Sequence, residues 1–301
     1  MEAKAFSPAH ITGFFVPHYD PQDPARSGSR GAGYSITKGV TTHVHAEPSP
    51  KDSVEIRVNG SPETRAPVSH EVIRLFLAGT TEKFAIEVEH RVEVPIGAGF
   101  GASAAAALSL ALAFNHALGN SLSTEEAARI AHTAEVICGT GLGGVSAEYV
   151  GGLEARTKPG APGVGDIRRI DECERYISAA LSLGAIPTEQ VLRSNPLRRR
   201  LAESGDTLVD RFIREPSPDA FLRFSRRFAD ESGLLTTRLR RVLAETDRTM
   251  FTCSMAMIGE TAFTLVPREE AQDVVKMFRD HVPEKGQILV TDVDAKGARL
   301  L

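Results

Sequence analysis

Two stretches in the first hundred residues alternate apolar and polar positions with a period of two. Val54, Ile56 and Val58 are separated by Glu55 and Arg57, and Phe84, Ile86 and Val88 by Ala85 and Glu87. Successive side chains of a strand point to opposite faces, so both stretches predict half-buried strands. Asn59-Gly60 supplies a turn after the first. The pattern then changes. Ala102 to Phe114 is apolar apart from Ser103 and Ser109 and predicts a buried helix, ended by Gly119-Asn120. Ser123 with Glu126 forms a capping-box pattern that starts a further helix, running to about Cys138. At about 100° per residue, Ala127, Ala128, Ile130, Ala131, Ala134, Ile137 and Cys138 form one apolar arc. Glu135 falls inside that arc, and His132 lies at its edge.

Further along, a strand is predicted near Tyr176 to Ser182. Helices follow near Thr188 to Phe212, Pro218 to Ala229 and Leu234 to Glu245. Strands near Met250 to Ser254 and Thr261 to Val266, a helix from Glu269 to Asp280 and a strand at Ile288 to Val293 complete the chain. Strands and helices do not alternate strictly, so the class is α+β. The segment to Pro24 is rich in turn formers, and Ser27 to Gly33 is rich in Gly and Ser. Lys158-Pro159-Gly160-Ala161-Pro162-Gly163 reads as a domain boundary, giving domains 1–160 and 161–301.

Composition narrows the partners. The chain has 301 residues and a formal net charge of −4, which gives no general attraction to nucleic acid or to a membrane. The basic runs Arg198-Arg199-Arg200 and Arg238 to Arg241 lack interleaved aromatic residues and read as solvated helix faces. The apolar run from Ala102 to Phe114 is shorter than the ~20 residues of a membrane span. Cys138, Cys173 and Cys253 form no Cys-x-x-Cys pair, so neither a zinc site nor a disulfide framework is expected. With no secretory signal expected at the start, a reduced, cytoplasmic setting fits.

The chemistry concentrates in Pro95-Ile96-Gly97-Ala98-Gly99-Phe100-Gly101-Ala102-Ser103-Ala104-Ala105. Glycines at alternate positions let the backbone approach a ligand and adopt positive φ. They open directly into a helix, whose free N–H groups and dipole suit a phosphate. Spacing alone leaves two readings: a turn that packs a helix on a sheet, or a phosphate site. No lysine follows the last glycine, so this is not a Walker A loop. Gly97, Gly99 and Ala102 match a dinucleotide fingerprint, but a second helix follows where that motif needs a strand.

The loop resembles the ATP loop of the GHMP kinases, Pro-x-x-x-Gly-Leu-Gly-Ser-Ser-Ala-Ala, with Phe100 for Leu and Ala102 for the first Ser. The resemblance implies ATP at Pro95, Gly97, Gly99, Gly101, Ala102, Ser103 and Ala104. It also implies Mg²⁺ on Ser103 and Glu135, which would then be the catalytic pair. Mg²⁺ is commonly held by one or two protein oxygens together with phosphates. Within that family the chain resembles the archaeal pantoate kinases. The resemblance rests on Phe6 to Phe15, Gly28 to Gly33, His132-x-x-Glu135, Gly151 to Arg156, Pro159 to Gly163 and Ser254 to Met257. It implies a two-domain fold: a domain like ribosomal protein S5, then a ferredoxin-like domain. The implied activity is phosphorylation of pantoate to 4-phosphopantoate for coenzyme A synthesis. Ser29, His132 and Arg156 would hold this small-molecule substrate, Arg156 by clasping its carboxylate. A homodimer would be in keeping, since related kinases are often dimers.

One position departs from the pattern. Gly144, in Thr140-Gly141-Leu142-Gly143-Gly144-Val145, stands where the pantoate kinases lead one to expect aspartate. In several GHMP kinases an acid near here is proposed as the base. The chain is then active without that base, slow, or a binding relative with little turnover. Another small hydroxy acid or amino alcohol is the alternative substrate. Glu148, one turn on, is a candidate substitute.

Overall fold

A computed structural model describes residues 1–170, 175–186 and 195–301. Cys173 and the expected helix start at Thr188 lie outside them. The chain begins with two long antiparallel strands, β1 (Glu2–His18) and β2 (Gly28–Pro48). Sequence reading expected turns and a Gly-rich loop here, because Pro8, Pro17 and the glycines of 28–33 break local patterns. The register shifts between Pro8 and Ala9, and again between Thr12 and Phe14, whereas Pro17 and Ser29 pair in unbroken register.

After β2 come β3 (Ser53–Val58) and the short β4 (Ser61–Pro62), joined by Asn59 and Gly60, both at positive φ as the turn requires. Helix α1 (Pro67–Phe76), absent from the sequence reading, precedes β5 (Phe84–Val92). Next are α2 (Ala102–Ala117), α3 (Thr124–Cys138) and α4 (Gly144–Val150). The Ser123–Glu126 capping box forms as expected, and Gly139 ends α3 in the left-handed region. The hairpin β6 (Leu153–Lys158) and β7 (Asp166–Ile170) follows.

The turn at Pro159 to Gly163 therefore joins two strands of the first sheet. A Pro/Gly cluster marks a reversal of the chain, and what the reversal connects is decided by pairing partners far away in sequence. That sheet has the order β1-β2-β5-β3-β4, with β6 also paired to β2. The far half of β2 pairs with β5, and its near half with β6.

The second sheet is built from β8 (Tyr176–Ala185), β9 (Ser254–Met255), β10 (Gly259–Pro267) and β11 (Gln287–Asp292) in the order β11-β8-β10-β9. Helices α5 (Asn195–Arg214), α6 (Pro218–Ser232), α7 (Thr237–Thr246) and α8 (Ala271–Asp280) belong to this half. The strand expected at Met250 to Ser254 is reduced to Ser254–Met255. A last strand, β12 (Arg299–Leu300), returns to β1.

Two apolar cores result. One packs α1, α2 and α3 on the far half of the β1–β2 ribbon. The other joins the near half of the ribbon to the second sheet and to α5 and α6. Phe14, fully buried on β1, anchors the second core. Its ring meets Phe212 edge-on at 5.6 Å and Phe221 at 6.0 Å. Phe14→Ala should cost about 3–5 kcal/mol. The loss would appear as a lower urea midpoint with the helical signal retained before the transition.

Candidate active site

The phosphate loop leaves β5 and turns over the second sheet. Gly97, Gly99 and Gly101 have φ of 75°, 90° and 66°, a region that side chains rarely adopt. At Gly99 space is short as well, since a Cβ would lie 3.0 Å from the Ala256 carbonyl oxygen. Between these glycines, Ala98 and Phe100 are buried. The loop is tied to both halves of the protein. Thr261 donates its hydroxyl to the Ala98 carbonyl at 2.7 Å, and the His10 N–H donates to the Phe100 carbonyl at 3.0 Å. Gly101 is the N-cap of α2 and offers no side-chain cap. Gly101, Ala102, Ser103 and Ala104 line a cavity of about 450 Å³, so the helix start faces open space.

Ser103 donates its hydroxyl to Glu135 Oε1 at 2.5 Å, and Thr140 donates to the same oxygen at 2.6 Å. Glu135 is buried on α3, as its place in the apolar arc required. Burial pushes its carboxyl pKa up, and the two hydroxyl bonds pull against that. Among the described residues these neutral hydroxyls are its side-chain partners, and no cation pairs with it. A buried carboxyl group without charge compensation fits a hard cation, and Ser103 and Glu135 supply the oxygen donors. Sequence reasoning missed Thr140, which joins the site because Gly139 reverses the chain and brings its N–H to the Glu135 carbonyl.

A second cluster lies across the cavity. Gly31 of β2 pairs with Arg156 of β6, and Gly33 with Glu154. Arg156 and Glu154 form a buried ion pair, and Glu154 Oε1 also meets His10 Nε2 at 3.1 Å. Ser29 and Arg156 both line the cavity. Gly143 separates the two clusters: a Cβ there would sit 2.2 Å from Ser29 Oγ and 3.1 Å from Arg156 Nε. Gly144 faces the other way, and a Cβ there would lie 2.8 Å from the Ala104 methyl group.

His132 is placed differently. It is buried, its Nε2 donates to the Ser27 carbonyl at 2.8 Å, and it does not line the cavity. It holds the start of β2, two residues before Ser29. Burial lowers its pKa and the Ser27 bond opposes this. Glu148 is also buried, behind Gly101, and is absent from the cavity wall. Its Oε1 has no hydrogen-bond partner among the described residues, and Ser7 reaches Oε2 at 3.5 Å. Burial and the nearby Glu135 charge push its carboxyl pKa well up. Sequence reasoning gave no role to His10 or Glu154. The available signal was alternation: Glu154 and Arg156, two apart on a strand, share a face.

A glycine loop feeding an uncapped helix, beside a Ser–carboxylate pair and a buried arginine, has the chemistry that phosphoryl transfer needs. The sequence profile of the GHMP kinases N terminal domain matches residues 68–152. The chain belongs to the GHMP kinase family, whose members are ATP-dependent kinases that generally use Mg²⁺. It is 34% identical to the pantoate kinase of Thermococcus kodakarensis over 286 residues, 93% of each chain. It is 37% identical to the pantoate kinase of Methanospirillum hungatei over 277 residues, covering 91% of this chain and 90% of that one. A solved phosphotransferase related to the CoA biosynthesis pathway superposes with a TM-score of 0.89 at 31% identity, covering 100% of this chain and 99% of that one. The homoserine kinase of Cytophaga hutchinsonii shares the fold, with a TM-score of 0.72 at 17% identity over 100% of this chain and 97% of that one.

Glu148 gives a test of the buried electrostatics. Its folded pKa is raised, so the folded state binds more protons than the unfolded state above the unfolded value of 4.5. Its contribution to stability therefore falls as pH rises from there toward the folded pKa. Glu148→Gln should remove up to about 1.4 kcal/mol per pH unit of that slope. Urea unfolding of both proteins across this window measures it, and parallel pH curves would contradict the assignment.

Proposed function

We propose that the chain transfers the terminal phosphoryl group of Mg·ATP to the primary hydroxyl of pantoate, giving 4-phosphopantoate for coenzyme A synthesis. The observation that carries this reading is the meeting of two unlike half-sites in one cavity. An uncapped helix start faces a buried Arg156 and Ser29 across the Gly143–Gly144 backbone. The first half-site takes phosphates, and the second takes a small carboxylate. The names of the relatives from Thermococcus kodakarensis and Methanospirillum hungatei support pantoate as that carboxylate.

In this reading Pro95, Gly97, Gly99 and Gly101 shape the loop, and the N–H groups of Ala102, Ser103 and Ala104 receive the phosphates. Val58, Val68, Val92 and Ile96 offer an apolar wall for the nucleobase. Ser103 and Glu135 would hold Mg²⁺, which when bound neutralises phosphate charge. Arg156 is 2% exposed, and its Nε has no partner among the described residues. A guanidinium held this way keeps a donor for the substrate carboxylate. Ser29 adds a hydroxyl beside it. His132 acts through Ser27, by fixing the strand that presents Ser29. The same proposal divides the chain into an ATP-binding part and a second part, with the expected boundary at 160/161 moved past β7, the last strand of the β6–β7 hairpin.

Gly144 supplies no base. Phosphoryl transfer depends mainly on positioning and charge stabilisation, and in this reading the start of α2, Ser103 and Glu135 supply both. The test is ADP production from Mg·ATP with pantoate, homoserine or mevalonate, run beside Gly144→Asp. Pantoate should raise ADP production in the unmodified protein, and the others should not. Ser103→Ala and Glu135→Gln should each lower kcat by about 10²-fold or more. Arg156→Lys should raise the KM for pantoate and spare that for ATP. A response to homoserine or mevalonate in place of pantoate would overturn the substrate assignment.

A further inference from the structure

His10 is the titratable group of the cavity wall that spans both half-sites. Its backbone is bound to the phosphate loop, through the N–H bond to Phe100. Its backbone oxygen also lies 3.4 Å from the position a Gly101 Cβ would take. Its side chain reaches the other way, to Glu154 and so to Arg156. In a substrate whose carboxylate is clasped by Arg156 and whose hydroxyl attacks a phosphate on α2, the hydroxyl must lie between those points. His10 occupies that interval.

The ring has been given a fixed place. A Cβ on Gly33 would fall 2.3 Å from His10 Cε1 and 2.5 Å from Nε2, so the ring lies against bare backbone. Glu154 is fully buried and is ion-paired with Arg156. Its Oε1 accepts from Nε2, which places the ring proton there and makes Nδ1 the accepting nitrogen, whose bond from Thr12 a substrate hydroxyl would replace. Nδ1 is met by the Thr12 hydroxyl at a long 3.3 Å. Both His10 and Thr12 line the cavity.

We infer that His10 accepts the proton of the substrate hydroxyl, and that Glu154 is the positioning residue that fixes its accepting form. The inference rests on the proposed kinase reading and answers the absence of a side chain at Gly144. The hydroxyl oxygen forms its bond to the terminal phosphorus, and the bond from that phosphorus to the bridging oxygen breaks with its electron pair leaving on ADP. The hydroxyl proton passes to His10 Nδ1 and then to solvent. The histidine is a catalytic residue in this step, whereas Glu154 touches neither substrate.

Burial lowers the His10 pKa, Glu154 raises it through its hydrogen bond and charge, and Arg156 lowers it. Those two charges are on β6. On β2 the ring lies against Gly33, Thr12 of β1 meets Nδ1, and α4 brings Glu148 to β1 at Ser7. A neutral ring is the active form, so kcat rises with pH through a limb below the ordinary histidine value. Removing the Glu154 carboxylate moves that limb to still lower pH.

The experiment is the pH profile of kcat under saturating Mg·ATP and pantoate for the unmodified protein, His10→Gln and Glu154→Gln. His10→Gln should lose about 10²–10⁴-fold in kcat and lose the acidic limb, with the KM for ATP unchanged. Glu154→Gln should keep the limb, displaced to lower pH. His10→Asn takes the place of His10→Gln if its unfolding curve shows a damaged fold. A His10 variant that lowers kcat but keeps the limb, or that keeps the parent's kcat, overturns the inference, as does a limb that stays in place in Glu154→Gln. If the unmodified protein ignores pantoate but turns over homoserine or mevalonate, the substrate reading has failed and the same comparison is made with that substrate. A parent that turns over none of them overturns both.

Discussion

The structure depends on a backbone constraint: three glycines in the left-handed region must deliver a helix start to the cavity without a side-chain cap. Gly101 is the decisive one. A residue with a side chain at its φ of 66° would be strained, and its Cβ would fall 2.5 Å from Glu148 Oε1. Helix α2 is in turn held by burial on nearly all sides, between the β1–β2 ribbon and α3. Its sequence is rich in alanine because close neighbours leave room for little more. A rigid helix with an open start is what a phosphate site requires.

The same economy of side-chain volume brings the second half-site into place. Gly31 and Gly33 on β2 leave room for Arg156 and for the His10 ring, and Gly143 leaves room for Ser29. Each of these glycines sits where a methyl group would meet a functional atom. The β1–β2 ribbon then carries the result to both cores, since Phe14 anchors one and the far half of the ribbon the other.

Three buried carboxyl groups surround the site in three different electrostatic situations. Glu154 is ion-paired with Arg156. Glu135 receives two neutral hydroxyls and is open to a cation. Glu148 has an oxygen without a partner among the described residues and a pKa pushed well up by burial and by Glu135. Charge around the cavity is therefore placed by pairing at one wall, left without a counter-charge at another, and suppressed behind the loop.

The sequence by itself determined the elements whose signal is local: the capped helix from Ser123, the alternating strands β3 and β5, and the glycine loop with Ser103. It also placed Glu135 on the buried face of α3, because helical periodicity acts within a few residues. The family resemblance reached Ser29 and Arg156, and the structure brings both to the cavity wall. It could not show that the proline-rich opening and the Gly/Ser stretch are the two longest strands, because their pairing partners are far apart in the chain. Tertiary structure alone turned His132 toward Ser27, buried Glu148 behind Gly101, and joined His10 to Glu154 across 144 positions. Contacts between distant residues are fixed by sheet register and packing, and neither is written in the spacing of a single segment.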